Sequence, residues 1–384
     1  MRRSAITRKL GRVDRALDKA IEKAELPGAV VFARIRRDGE VIEHLSARGL
    51  AVVRPERIPA TRETVYDLAS LTKVMATTTA VARLVAEGRL ELDAPVAAYL
   101  PHFGERGKEG VSLRHLLTHS SGLRPWRAYH EVLLEKEKRT GVRILGTPEA
   151  RAYVLESICR SRLLHEPGTA AVYGDLDFIV LGAVVEAVVG ERLDRWCEQA
   201  LFAPLGLSRT GFRPFSEKGE PPEGPDRRQF AASENCPWRD RIVWGAVHDP
   251  NAWAMGGVAG HAGLFSPADD VMRFALFWLD AWHGRSEWLP HSVAQTFCER
   301  QGLPADSDWA LGFDTPSATG SSSGSRFSPR AVGHLGFTGT SVWIDLEREA
   351  VIVMLANRHH LVAKRSRFSL RPVIHDLIME AFLA

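Results

Sequence analysis

The chain has 384 residues, 45% apolar and 25% charged, with a formal net charge of +3. This is ordinary globular composition, long enough for one large or two intimately packed domains. The small charge gives no electrostatic reason to expect nucleic acid or a membrane surface as partner. The four cysteines (Cys159, Cys197, Cys236, Cys298) are far apart and form no C-x-x-C pair, so they read as reduced thiols and not as a disulfide frame or zinc site. No apolar h-region opens the chain and no window approaches about 18 uninterrupted apolar residues, which makes the cytoplasm the expected location.

A first helix is expected over residues 7–25, where Leu10, Val13, Leu17, Ile21 and Ala24 recur at three- and four-residue spacing before Pro27-Gly28. An N-terminal cluster of basic residues (Arg2, Arg3, Arg8, Lys9, Arg12) is soon followed by acids and reads as a solvated helix face. Ala29-Val30-Val31-Phe32-Ala33 and Val41-Ile42 flank Arg37-Asp38-Gly39, a strong hairpin signal. Helical periodicity follows at 70–88, 112–118, 147–160, 176–190 and 268–282, while 215–228 and 315–330 read as surface loops. Apolar runs at 340–344 and 351–355 flank a charged turn and make a second hairpin. His359-His360 then reads as a surface turn, and a last helix carries Val373, Ile374, Leu377, Ile378 and Phe382 on one face. Strands at both ends around a helical middle predict an α/β (α+β) fold in which the ends share one antiparallel sheet. Residues 1–68 and 240–384 would form the sheet part and 69–239 the mostly helical part, with the site at their junction.

Ser70-Leu71-Thr72-Lys73 follows the strand-like Thr64-Val65-Tyr66 and opens a helix, so Ser70 and Lys73 share one face, one turn apart. A serine at a helix start lies beside free backbone N–H groups, and its own can serve an oxyanion. Alone, the pattern is weak and reads more readily as an N-cap serine followed by a surface lysine. Two further segments bear on it: Tyr173-Gly174-Asp175 in a glycine-containing turn before the 176–190 helix, and His334-Leu335-Gly336-Phe337 leading into the C-terminal strands.

In this order, the three segments resemble the S-x-x-K, Y-x-N and K-T-G motifs of the serine β-lactamase and penicillin-binding-protein superfamily, in particular its class C and esterase-like branch. Leu113-Arg114-His115-Leu116-Leu117-Thr118-His119-Ser120-Ser121-Gly122-Leu123 and Gly256-Gly257-Val258-Ala259-Gly260-His261-Ala262-Gly263-Leu264-Phe265-Ser266 look like the same branch, and the resemblance runs from about residue 28 to 357. It implies a β-lactamase/transpeptidase-like fold and an acyl-enzyme on Ser70 that water hydrolyses. It also implies a base drawn from Lys73, Tyr173 or both, and oxyanion donors at the Ser70 and Phe337 N–H groups. Reference values of about 10.4 for lysine and about 10 for tyrosine put both far from neutral pH, so the two should titrate as a coupled unit.

The chain departs from the pattern at three positions. Asp175 stands where the family has Asn; a carboxylate near Lys73 favours the ammonium and tilts the base role toward Tyr173. His334 and Leu335 replace the Lys and Thr that hold a substrate carboxylate, and Gly336 alone is kept. Neutral histidine and leucine weaken selection for such a carboxylate. The expected substrate is therefore a small-molecule ester or amide, with weak activity on lactams. The alternatives are a D-amino-acid peptidase or carboxypeptidase and a non-turning-over sensor or binding protein. Trp126, with Trp238, Trp244 and Trp253, falls in loops flanking the expected cleft and offers an acyl-binding wall. No metal or organic cofactor is implied.

Rival motifs have plainer readings. Gly320-Ser321-Ser322-Ser323-Gly324 matches the G-x-S-x-G elbow but lacks the flanking strand and helix, and reads as a flexible loop. His115 and His119 have metal-ligand spacing without a supporting acid, so packing and capping are expected. His261 and the His248-Asp249 pair, which could imitate a catalytic dyad, read as site-wall or turn residues.

Overall fold

The computed structural model describes residues 2–360 and 369–383. Its strands are β1 (Gly28–Arg37), β2 (Glu40–Val52), β3 (Ile58–Pro59), β4 (Tyr66–Asp67), β5 (Gly211–Phe212), β6 (Ala232–Cys236), β7 (Arg241–Trp244), β8 (Leu264–Ser266), β9 (Ala331–Leu335), β10 (Ser341–Asp345) and β11 (Ala350–Ala356). Its α-helices are α1 (Arg2–Glu22), α2 (Thr79–Ala86), α3 (Leu113–Leu117), α4 (Tyr129–Thr140), α5 (Pro148–Cys159), α6 (Leu176–Val189), α7 (Leu193–Cys197), α8 (Pro250–Ala254), α9 (Ala268–Trp282), α10 (His291–Cys298) and α11 (Leu370–Phe382).

The chain ends do share a sheet. Six strands run in the order β3-β2-β1-β11-β10-β9, and β1 meets β11 antiparallel with Val31 opposite Met354. Asp38 and Gly39 both take positive φ at the β1–β2 turn, the two-residue geometry whose twist suits a tight hairpin. Side chains alternate across each strand, and here both faces are covered. Val30, Phe32, Val351, Val353 and Leu355 join the larger core, which includes α9 and the buried α6. Ala29, Val31, Ile352 and Met354 join a second core built with α1 and α11. Each fully buried Val, Leu, Ile, Phe or Met side chain contributes roughly 1.5–3 kcal/mol, so the two-sided burial of β1 and β11 anchors the fold.

Several expectations need correction. The first helix runs from Arg2 to Glu22, not over 7–25. Arg12 pairs with Glu380 at 2.9 Å on its exposed side, whereas the Arg2 and Arg3 side chains lie outside those described. The helix after Ser70 opens with a π-helical turn over Lys73–Thr78, and the Thr79 hydroxyl reaches back to the Val74 carbonyl at 2.8 Å. Such turns often occur at functional sites, and apolar periodicity does not reveal them. His360 is buried, its Nε2 accepting the Val53 N–H at 2.9 Å, so this is no surface turn. The Ser/Gly stretch is anchored as well: Ser323 is buried, and Ser325 donates to Asp376 on α11. Trp244 and Trp253 are buried at the end of β7 and on α8. No helix among the described residues is long and apolar enough to cross a membrane.

Candidate active site

The segment between β4 and the π turn sets Ser70. Asp67, buried at the end of β4, accepts the Ala69 N–H at 2.8 Å through Oδ1 and the His248 N–H at 2.6 Å through Oδ2. Ala69 sits at φ +48°, a left-handed conformation costly for a residue with a Cβ, immediately before Ser70. The β9–β10 turn is clamped to the same segment, Thr338 donating to the Asp67 carbonyl and Thr340 to that of Leu68. Gly336 fits there because a Cβ would stand 2.0 Å from Thr340 Oγ1 and 2.5 Å from the Leu68 oxygen.

Lys73 is fully buried one turn on, and its Nζ reaches four acceptors: Asp175 Oδ1 at 2.7 Å, Ser70 Oγ and the Tyr173 hydroxyl at 3.1 Å each, and the His261 carbonyl at 3.4 Å. Burial works against the ammonium, but the charge and hydrogen bonds of Asp175 and Tyr173 outweigh it and raise Lys73 above the ordinary lysine value. Tyr173 and Asp175 are presented by a turn tied to residues 119–125. Val172 N–H donates to the His119 carbonyl and Asp175 N–H to that of Pro125, and Gly174 packs where a Cβ would strike Pro125.

Ser70, Tyr173 and Asp175, with Lys73 buried beneath them, line a cleft of about 900 Å³ shared with Trp126, Trp238, Trp309, Asp249, His261, His334, Gly336 and Phe337. Tyr173 stacks on Trp309 with ring centroids 5.6 Å apart. Trp126 and Phe337 stand at the rim, 47% and 60% exposed, and Phe337 stacks on His359 at 4.3 Å. Among the described residues, neither the Ser70 nor the Phe337 N–H has a hydrogen-bond partner. His334 is buried within the cleft wall, its Nδ1 donating to the Leu335 carbonyl at 2.8 Å. Burial, then the charge of Lys73, pushes its pKa well down and keeps it neutral.

A family model described as "Beta-lactamase" matches residues 13–371. The chain belongs to the beta-lactamase family. A protein of Escherichia coli (strain K12), named "Putative D-alanyl-D-alanine carboxypeptidase", is 34% identical over 336 residues, covering 81% of this chain and 73% of that one. Two solved structures share the fold. EstCE1, described as a hydrolase with promiscuous acyltransferase activity, superposes with a TM-score of 0.72 at 24% identity over 98% of this chain and 99% of its own. A class C beta lactamase does so with 0.70 at 19% identity, over 99% of each chain.

For this beta-lactamase family member, Ser70, Lys73, Tyr173, Asp175, His334, Gly336, Phe337 and Trp126 are all brought to one cleft. Sequence reading underrated three other groups. Beneath Tyr173 lie His119 and Asp177, with His119 Nδ1 and Asp177 Oδ2 at 3.2 Å. Burial holds His119 down to about 3 and lifts Asp177 to about 8, so the pair is neutral. The Gly174 N–H also donates to His119 Nδ1 at 3.3 Å, and Ser121 donates to the other oxygen of Asp177. Arg358 and Arg371 also line the cleft, and Arg371 donates to the Gly336 carbonyl from α11. Finally, His261 pairs with Asp249, not His248, at Nε2–Oδ1 2.8 Å. Asp175, Asp249 and His261 bring possible metal-ligand atoms within 4.8 Å of one another, but Asp175 is engaged by Lys73 and the other two engage each other. As expected, His115 caps α3 through a capping box with Ser112.

Proposed function

We propose that the protein is a serine hydrolase that forms an acyl-enzyme on Ser70 and acts on small carboxylic esters or amides. The observation that carries this reading is the Lys73 ammonium, hydrogen-bonded at 3.1 Å to both the Ser70 and Tyr173 hydroxyls and paired with Asp175 at 2.7 Å. An ammonium has no lone pair and therefore cannot take a proton. Making Lys73 neutral would cost roughly 4–5 kcal/mol near pH 7 from the ordinary lysine value, and Asp175 adds to that. Tyr173 is thus the base: Lys73 stabilises its phenolate, which takes the Ser70 proton as Oγ adds to the substrate carbonyl. The Ser70 and Phe337 N–H groups receive the oxyanion. Tyr173 then protonates the leaving group, and in the second half it takes a proton from the water that hydrolyses the acyl-enzyme.

Neutral, inward-turned His334 and the apolar Leu335 favour uncharged acyl groups. The exposed indole of Trp126 on the cleft wall supports an apolar acyl side. A second reading, a carboxypeptidase of D-amino-acid peptides, is favoured by Arg358 and Arg371 in the cleft and by the name of the Escherichia coli relative. A panel of p-nitrophenyl esters, a cephalosporin and a D-Ala-D-Ala peptide on wild type and Ser70→Ala separates them. Esters should lead in kcat/KM. A D-peptide preference of orders of magnitude selects the second reading, a cephalosporin preference overturns the ester lean, and turnover that survives Ser70→Ala overturns both readings.

A further inference from the structure

The hydrogen bonds around Ser70 close into a ring. From Ser70 Oγ the path runs to Lys73 Nζ and on to the His261 carbonyl at 3.4 Å. The His261 ring meets Asp249 Oδ1 at 2.8 Å, and Asp249 directly follows His248, whose N–H donates to Asp67. Asp67 in turn accepts the N–H of Ala69, the neighbour of Ser70. The oxygen that meets His261 has a second partner outside the ring: Asp249 Oδ1 also accepts the Ala252 N–H at 2.7 Å, capping α8.

We propose that Asp249 and His261 are positioning residues for the Ser70–Lys73 centre, acting by fixing the loop whose carbonyl receives the Lys73 ammonium. That loop, residues 256–263, is rich in glycine, with Gly256, Gly257 and Gly263 at positive φ, and its own backbone is paired at one bridge, Ala259 to Ala262. Besides the Phe215 N–H on the Gly256 carbonyl at 2.9 Å and Arg151 on the Val258 carbonyl at 2.7 Å, three contacts hold the stretch around His261: Thr77 donates to the Gly260 carbonyl at 2.6 Å, the Leu264 N–H donates to Thr72 Oγ1 at 3.1 Å, and Asp249 grips the His261 ring. The first two of these three come from the nucleophile's own helix and move with it. The third comes from the α8 side of the cleft, and so fixes Lys73 against a separate part of the fold. His261 is 1% exposed and its ring cannot change partner without disturbing this loop. Asp249 stays ionised, because although burial opposes its charge, His261 and the Ala252 N–H outweigh that cost. The role is geometric: no proton passes through the pair.

This inference rests on Ser70 being the nucleophile, and the test separates the two claims. The readout is the rate of covalent labelling by a fluorophosphonate, followed by intact mass, together with kcat and KM on p-nitrophenyl acetate and a thermal melt. Asp249→Ser keeps a hydroxyl that caps α8 but is too short to hold His261; Asp249→Asn keeps both contacts without the charge. Asp249→Ser should slow labelling and kcat by about tenfold or more, as a misplacement near 1 Å does, with KM and the melt near wild type. Asp249→Asn should restore both rates to within about threefold. Labelling of Asp249→Ser at the wild-type rate overturns the inference, and so does an Asn variant as slow as the Ser variant, which would mean that charge and not placement matters. If Asp249→Ser does not fold, His261→Gln against His261→Leu probes the same contact from the other side, with Gln expected to retain the rate and Leu to lose it; equal rates overturn the inference. Labelling that persists in Ser70→Ala overturns the underlying nucleophile assignment instead.

Discussion

The Lys73 ammonium lies 2.7 Å from the Asp175 carboxylate, in a position with no solvent exposure of the lysine side chain. A buried cation paired in this way cannot shed its proton cheaply, because its partner would be left as an uncompensated buried charge. The pair is the reason for the proposal that Tyr173, not Lys73, accepts the Ser70 proton.

Asp175→Asn keeps the shape of this contact and removes its charge. Burial then dominates Lys73 and lowers its pKa, since Asp175 is the leading influence that holds it up. The ammonium that stabilises the Tyr173 phenolate is lost at lower pH, so the alkaline limb of kcat/KM should move toward neutrality. The rate at pH 7.5 should fall by about tenfold or more, within the range for acid–base groups. A pH–rate profile that does not move would remove the electrostatic role assigned to Asp175.

Asp177 gives a stability prediction with a definite sign. Its folded value, about 8, lies above the ordinary carboxyl value near ~3.9, so between them the unfolded chain holds fewer protons than the folded one. The contribution is fully present below the unfolded value and is lost as pH rises through the folded one, so stability falls across about pH 4 to 8. Asn at this position can donate to His119 and accept from Ser121 while never ionising. Melting curves should show Asp177→Asn gaining on wild type steadily from pH 5 to pH 8. A constant difference in Tm across that range would mean Asp177 does not titrate there.

Gly336→Ala places a Cβ 2.0 Å from Thr340 Oγ1 and 2.5 Å from the Leu68 carbonyl oxygen. The turn must shift, at a cost of about 1–3 kcal/mol for overpacking, and Phe337 N–H shifts with it. A lowered Tm together with a fluorophosphonate labelling rate slowed by about 100-fold or more, the size for one lost oxyanion donor, is expected. A variant that melts and labels like wild type would show that the turn relaxes freely.

Trp126→Ala should behave differently, because the indole is largely exposed and closes no core contact. Stability should change by no more than about 0.5 kcal/mol, while KM rises for esters with aryl or long acyl chains and stays constant for acetate. Uniform kinetics across acyl groups would take Trp126 out of the substrate wall.

The sheet was legible because its strands carry two-sided apolar runs and a turn, Asp38-Gly39, that only a tight hairpin suits. That Ser70, Lys73 and Tyr173 lie together was legible because their three motifs come in a fixed order along the chain. The π turn at Lys73–Thr78 was not, since widening a helix by one residue leaves no mark in apolar spacing. His360 reads as surface because it follows the polar run Asn357-Arg358-His359, and Ser323 because it lies in a Gly- and Ser-rich run; each is buried by partners far along the chain, Val53 and His375 respectively. The Asp249–His261 pair illustrates the same limit. Both residues stood out, but adjacency suggested His248 as the partner of Asp249, and only the folded loop brings in His261.

The most direct test of the central claim is the mass and location of the covalent species formed when the protein is quenched during turnover of a p-nitrophenyl ester. An acyl adduct on the peptide containing Ser70, absent from Ser70→Ala along with turnover, is the expected result. An adduct on another residue, or undiminished turnover by Ser70→Ala, would contradict it.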